Sequence, residues 1–397
     1  MNILSDKKLA IAVLFTVLLA ACGGGGGSGT AKTSSMLSVP IPVQKSSYLN
    51  AKNINIPSQK IPTFPDVAGV TGYSEGATGG IAFGDFLQTG QISLVVFTNR
   101  WSNDAAKPNQ VGVVHFYKYV DGEPIDVTSS LLKDITGCIS PRRVLVADFN
   151  NDGKPDIFVS CHGSEFGPGA SWPGEVPRIL LSQPDGTYIN TSAPITCYCH
   201  AASAGDVDGD GNADIVVSDG IRSRDDKTSY ILLRGDGKGS FTEVTGFIAP
   251  MADYATYDKV YYNQSFHVEL IDINSDGKLD LFLGGGEINS NPYILLGDGQ
   301  GKFMTVHSKF ALGTKDYHLN DAVFANGYLY IYTNLNSDQY KDQIRKYDLT
   351  TGNYTVIYDG AEVHPIWDSL KYGMIFMMTY KGKLVPYDSR FKESVAM

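Results

Sequence analysis

The sequence predicts an all-β chain folded as a β-propeller of six or seven four-stranded blades. Three observations lead there. One segment recurs three times without gaps, as Val144–Ser160, Ala202–Ser218 and Val268–Gly284. Each copy is followed by a second hairpin signal, an aliphatic run, then an Asp-Gly or Gly-rich turn, then an aromatic residue. Between these signals no stretch shows helical periodicity. Four short strands per repeat make one propeller blade.

Taken in chain order, the first unit is Gly80–Phe97. It has the frame of the three copies but a decayed loop, which keeps Asp85 and Gly90 and carries Leu87, Thr89 and Ser93 where the others have acids or amides. The three full copies follow, their first aspartates Asp148, Asp206 and Asp272 spaced 58 and 66 residues apart. Their second hairpins are Arg178–Asn190, Tyr230–Val244 and Tyr293–Val306, with Tyr188, Phe241 and Phe303 as the aromatics. Two weaker units, from Ala322 to Gly360 and from Leu370 to Asp388, keep the strand and turn alternation without the acidic loop. The last is short of an outer strand, which a segment near Asn53–Ile56 would supply; residues 40–78 would provide for a seventh blade.

The repeated loop reads D-x-[DN]-x-D-G-x-x-D. Its acids and amides are Asp148, Asn150, Asp152 and Asp156, then Asp206, Asp208, Asp210 and Asp214, then Asp272, Asn274, Asp276 and Asp280. Calcium takes six to eight oxygen ligands, and alternate residues of a tight loop turn their side chains inward. Gly153, Gly211 and Gly277 permit the sharp turn. An EF-hand is excluded, because its twelfth position needs glutamate and here holds Val159, Val217 and Leu283. Asx-rich turns without metal would account for one copy. Three copies crowd ten carboxylates into three loops, which repel one another unless a cation is present. The expectation is three structural calcium sites.

Loop and flanking strands together resemble the FG-GAP/VCBS repeat family, bacterial relatives of the integrin α-chain propeller. The resemblance is strong over residues 79–310 and rests on strand pattern elsewhere. It implies a propeller whose calcium ions pin the hairpin between the first two strands of a blade. It implies little about activity, since propellers host binding modules, assembly factors and a few enzymes.

The N-terminus reads as targeting sequence. Lys7 and Lys8 precede an apolar run, Leu9–Leu19, too short to span a bilayer. It ends in Leu19-Ala20-Ala21-Cys22, which resembles the bacterial lipobox and implies acylation of Cys22. The organisation is thus a lipoprotein signal peptide at 1–21, a lipidated cysteine with a flexible Gly/Ser/Pro tether at 22–65, and the propeller at 66–397. Gly23 stands where inner-membrane lipoproteins carry a retention aspartate, so the resemblance points to the outer membrane of a bacterial envelope.

The chain has 397 residues, a formal net charge of −10 and no basic run, which argues against a nucleic-acid partner. A monomer is expected, touching the membrane only through the acyl anchor. Apart from Cys22 there are four cysteines, Cys138, Cys161, Cys197 and Cys199, consistent with two disulfides and three open connectivities. If the acid loop joins strands one and two, all four cysteines fall on the opposite face, in blades two and three, where bridges between the two blades would be natural. A Cys/His metal site with His162 and His200 is the alternative.

The same face is expected to gather Arg142, Arg143, His200, His267, His318 and His364, each shortly before a first strand. Two long loops add aromatics, Trp172 in one and Tyr254, Tyr257, Tyr261 and Tyr262 in the other. No nucleophile elbow, HExxH or acid/base pair is present, so the chain reads as a non-catalytic binding or adhesion module for a protein or glycan. A lyase-like enzyme acting on polysaccharide and an envelope assembly factor are the competing readings.

Overall fold

The structure is a computed structural model describing residues 78–91, 93–98, 110–121, 123–164, 174–219, 230–248, 267–284, 293–309, 317–325, 328–335, 339–348, 351–365, 376–380, 383–387 and 395–396. The leader, Cys22, the tether and the closing strand expected near Asn53–Ile56 lie outside them.

Strand follows strand as an antiparallel meander. The first sheet is β1 (Thr78–Gly84), β2 (Ser93–Thr98), β3 (Val114–Val120) and β4 (Glu123–Asp126), followed by a single helical turn, α1 (Thr128–Leu131). The second is β5 (Pro141–Ala147), β6 (Asp156–Cys161), β7 (Arg178–Ser182) and β8 (Tyr188–Ser192). The third is β9 (Cys199–Gly205), β10 (Asp214–Asp219), β11 (Tyr230–Gly235) and β12 (Phe241–Val244). The fourth is β13 (His267–Ile271), β14 (Asp280–Gly284), β15 (Tyr293–Gly297) and β16 (Phe303–Lys309). The fifth, with longer strands, is β17 (Tyr317–Ala325), β18 (Tyr328–Leu335), β19 (Gln339–Asp348) and β20 (Tyr354–Pro365). A three-stranded sheet ends the series, β21 (Phe376–Tyr380), β22 (Lys383–Tyr387) and β23 (Val395–Ala396).

First strands meet first strands in succession, β1 with β5, β5 with β9, β9 with β13, β13 with β17 and β17 with β21. They therefore surround a common axis with later strands radiating outward, which is a β-propeller. The sequence suggested six or seven four-stranded blades. Among the described residues five sheets have four strands and the last has three, which falls short of the six or seven four-stranded blades expected.

The core lies between adjacent sheets. Side chains alternate across a strand, so β6 sends Ile157 and Val159 toward the first sheet and Phe158 toward the third. That two-sided burial explains why β2, β6 and β10 are buried at every position. The innermost β9 is built of small residues, Ala201, Ala202, Ser203, Ala204 and Gly205, which suits the crowded axis. The fourth-strand aromatics pack backward onto the preceding blade. Phe241 meets Phe149 edge-on at 5.5 Å between ring centroids, and Tyr188 meets Phe86 at 6.5 Å. Burying one such ring contributes about 1.5–3 kcal/mol.

Candidate functional site

The acid loops join first to second strands, β5 to β6, β9 to β10 and β13 to β14, with the decayed copy joining β1 to β2. All four share one backbone shape. Their fourth residues are left-handed, with φ of 55° at Gln88, 57° at Asn151, 78° at Gly209 and 61° at Ser275. Their sixth residues, Gly90, Gly153, Gly211 and Gly277, also have positive φ, where any side chain would be strained.

The first aspartate sets that shape. Asp148 accepts the N–H groups of Asp152 (3.0 Å) and Gly153 (2.8 Å), and Asp272 those of Asp276 (3.0 Å) and Gly277 (2.9 Å). Asp206 accepts Gly209 (2.7 Å) and Gly211 (3.0 Å), while Asp85 accepts Thr89 (2.8 Å) and Gly90 (2.7 Å). This closure needs only an aspartate and a glycine, so the decayed loop keeps its fold after losing the other acids.

The middle positions carry the oxygen set that fits a cation. In the second loop Asp206, Asp208 and Asp210 each bring a carboxylate oxygen within 4.8 Å of the others. Oxygens on opposite sides of a calcium ion, each bonded at about 2.3–2.6 Å, lie about 5 Å apart, so the spacing and the hard donors both suit calcium. In the first and third loops the middle amides fold in the same way. Asn150 Oδ1 accepts the Asp152 N–H (3.1 Å) and Asn274 Oδ1 the Asp276 N–H (3.0 Å). Burial pushes the Asp148 carboxyl upward against the pull of the Gly153 N–H, while the Lys278 N–H holds Asp276 low.

The ninth-position aspartates, also expected as ligands, are held by backbone donors. Asp156, Asp214 and Asp280 are buried. Oδ2 of each accepts the N–H of the loop's second residue, Phe149 (2.8 Å), Val207 (3.0 Å) or Ile273 (3.0 Å). Oδ1 accepts an N–H from the third strand, Ser182 (2.7 Å), Gly235 (2.9 Å) or Gly297 (3.0 Å). Each therefore staples its loop to strand three. Burial pushes Asp156 up to about 6 and Asp214 up to about 7, and raises Asp280.

Two partners were not foreseen from the sequence. The Ser182 hydroxyl donates to Asp156 (2.7 Å) and lies 3.1 Å from both Asp152 oxygens. Arg234 Nε lies 2.8 Å from Asp208 Oδ2, a cation from β11 at the rim of the second loop. A serine or arginine ending an otherwise aliphatic strand is the signal that would have found them.

The first two acid loops are also gripped by the following blade. The second-residue carbonyls of Phe149 and Val207 accept the N–H groups of Gly239 (3.0 Å) and Gly301 (3.0 Å) from the next outer hairpins. Tyr188 Oη donates to the Pro155 carbonyl (2.9 Å), with the Phe86 carbonyl at 3.4 Å.

The opposite face holds the cysteines, as the strand directions required. Cys138 pairs with Cys161, Cα atoms 5.6 Å apart, and Cys197 with Cys199 at 5.1 Å. The bridges expected between blades two and three are instead local. Antiparallel pairing sets Pro141 opposite Cys161 and brings Cys138 back beside it, so that bridge closes within blade two. Glu175 crosses here, its carboxylate accepting the Ile139 N–H at 2.9 and 3.0 Å; burial raises its carboxyl to about 7. Cys138, Cys161 and Glu175 bring their ligand atoms within 4.8 Å of one another, while the pairing of the sulfurs favours disulfides over the Cys/His metal alternative.

Of the polar residues expected at this face, Arg143 and His267 lie inside the ring. Both are buried, and Arg143 Nη2 donates to His267 Nδ1 at 3.2 Å across β9. That leaves the imidazole proton on Nε2, 3.9 Å from the buried Glu269 carboxylate. This network ties β5 to β13 and offers no ligand surface. Arg142 and His200 keep part of their surface in solvent. His318 lies in β17 opposite Asn334. His364 lies opposite Tyr340 in β20, an outermost strand rather than the approach to a first strand. Trp172, Tyr254, Tyr257, Tyr261 and Tyr262 fall outside the described residues.

Residues 206–283 match a family model described as FG-GAP-like repeat, a stretch running from the second acid loop through the third. No curated protein matches the chain. The chain is a β-propeller in which residues 206–283 are similar to the FG-GAP-like repeat.

Proposed function

We propose that the protein is a bacterial envelope lipoprotein, anchored through Cys22, whose propeller is stiffened by calcium in three loops and serves as a non-catalytic binding or adhesion module for a protein or glycan. The observation that carries this reading is the convergence of Asp206, Asp208 and Asp210 on one point of a rigid ring. Asp148, Asn150 and Asp152, and Asp272, Asn274 and Asp276, would hold the other two ions. Asp156, Asp214 and Asp280 back them from behind, within reach of the same loops.

A rigid scaffold with long loops suits binding. The aromatic loops around Trp172 and Tyr257, Tyr261 and Tyr262 are the first contact surface to test. The experiment is a glycan array with a parallel pull-down from envelope fractions, using the full chain. Retained ligand that is lost with Trp172→Ala or Tyr261→Ala supports the reading. Turnover of an acidic polysaccharide by the purified chain would replace it with an enzyme.

A further inference from the structure

We infer that Arg234 is a built-in cation for the second acid loop: it holds Asp208 in the absence of an ion and yields to a divalent ion, so that this loop is the weakest and last-filled of the three. The inference rests on the calcium reading of the loops and names how one of those sites is regulated.

Arg234 stands where the sister blades carry leucine. Ser182, Gly235 and Gly297 occupy one position, since each gives its N–H to the ninth aspartate of its own loop. The residue before it is therefore Leu181 in the second blade, Arg234 in the third and Leu296 in the fourth. Leu181 packs beneath the outer turn of the next blade, where a Cβ on Gly239 would stand 2.5 Å from Leu181 Cδ1. Arg234 takes the same course beneath Gly301, where a Cβ would stand 3.0 Å from Arg234 Nη2 and 3.6 Å from Asp208 Cβ. The guanidinium ends on the acid loop, with Nε 2.8 Å from Asp208 Oδ2.

The loop changes together with the strand. Its third position is an amide, Asn150 or Asn274, where strand three brings leucine, and an acid, Asp208, where strand three brings arginine. Acid and cation thus enter as a matched pair. Both Asp208 oxygens are engaged, Oδ2 by Arg234 and Oδ1 by the Asp210 N–H at 3.3 Å. In the first loop Lys154 instead turns its ammonium to the Gln183 carbonyl at 2.8 Å and stands 4.0 Å from Asp152 Oδ2.

Electrostatics sets the consequence. An ion bonded to Asp208 Oδ2 at about 2.3–2.6 Å would stand no more than about 5.5 Å from the arginine nitrogen, where like charges repel. A carboxylate shared with a guanidinium also gives less of its charge to an ion. The Asp208 side chain is 12 % exposed and that of Arg234 42 %, so the carboxylate stays in place while the longer cation has solvent to swing into. Without an ion the pair offsets the repulsion among Asp206, Asp208 and Asp210 and keeps the shape of the loop. The loop is also keyed to the fourth blade, the Gly301 N–H donating to the Val207 carbonyl at 3.0 Å. Exchange of arginine for ion therefore acts at the joint between the third and fourth blades.

The test is calcium titration of the chelator-stripped full chain by calorimetry, with melting temperatures taken in excess chelator and in saturating calcium. Two ions are expected to bind tightly and a third at least about tenfold more weakly, the scale of one charged contact. Asp210→Asn should abolish the weak step and keep the tight pair; loss of a tight step instead would overturn the inference. Arg234→Gln, which keeps most of the stem and removes the charge, should raise the weak affinity about tenfold and yet lower the melting temperature in chelator. A residue that only packs would lower the melting temperature in both conditions and leave the affinity alone. Asp208→Asn combined with Arg234→Leu installs the pair of the sister blades and should bring the third affinity level with the other two. Lys118→Gln, which removes one positive charge from the exposed face of β3, should change neither readout. Three equal affinities in the parent, or weaker binding in Arg234→Gln, would overturn the inference while leaving calcium in the loops. No bound ion in any variant would remove the calcium reading and this inference with it.

Discussion

Asn151 Nδ2 donates to Asn212 Oδ1 at 2.8 Å, so the acid loops of the second and third blades touch directly. Behind that contact Gly239 holds Phe149 and Gly301 holds Val207. An ion bound in one loop would therefore also order a neighbour of the next. Asn151→Ala and Asn212→Ala should not add, and a double-mutant cycle by denaturant unfolding should show coupling of about 0.5–1 kcal/mol. Additive costs would mean that the loops act independently.

The first, middle and last loop positions separate by their response to chelator. Asp156 accepts two buried backbone N–H groups and the Ser182 hydroxyl. Asp156→Ala should cost roughly 3 kcal/mol whether or not divalent cations are present, because it leaves buried donors unpaired. Asp210→Asn, on the exposed rim, should lower stability only while cations are present and match the parent in excess chelator. Chelator-dependence in both variants would place Asp156 among the cation ligands.

The Glu175 carboxyl is raised by burial to about 7 from an ordinary 4.5. Its folded pKa exceeds its unfolded one, so the folded state holds the proton more tightly. The stabilising contribution is full below about 4.5 and is lost as pH rises through about 7. Glu175→Gln should remove this part of the pH profile, matching the parent at pH 4 and exceeding it at pH 8. Parallel profiles for the two proteins would contradict the placement of the carboxyl.

The two disulfides should differ in worth. Cys138 and Cys161 are 23 residues apart, Cys197 and Cys199 only 2. Constraint of the unfolded chain grows with loop length, so losing the first bridge should cost about 2–4 kcal/mol and losing the second distinctly less. Calorimetry of Cys138→Ala/Cys161→Ala against Cys197→Ala/Cys199→Ala gives the order; the reverse order would assign the short bridge a structural role beyond chain entropy.

What the sequence revealed was local. The repeats around Asp148, Asp206 and Asp272 are ungapped, so the loops, their glycines and the outer aromatics were all legible. Spacing alone could not separate a ligand from a staple, because either role puts a carboxylate at the ninth position. The deciding partners of Asp156 and Asp280 lie 26 and 17 residues further on. The Arg143 to His267 bond joins residues 124 apart through the middle of the ring, where no pattern in the chain could announce it. Both residues read as surface candidates because a first strand looks the same in sequence whether its side chains close the axis or open to solvent.

The central claim is that the three acid loops hold calcium and that the scaffold depends on it. Calcium titration into the chelator-stripped full chain, read by calorimetry and by the melting temperature on one sample, tests it most directly. Three ions bound per chain, with a melting temperature that falls markedly on chelation and recovers on adding calcium, is the predicted result. An unchanged melt with no bound ion would contradict it and leave the loops as turns closed by Asp148, Asp206 and Asp272 alone.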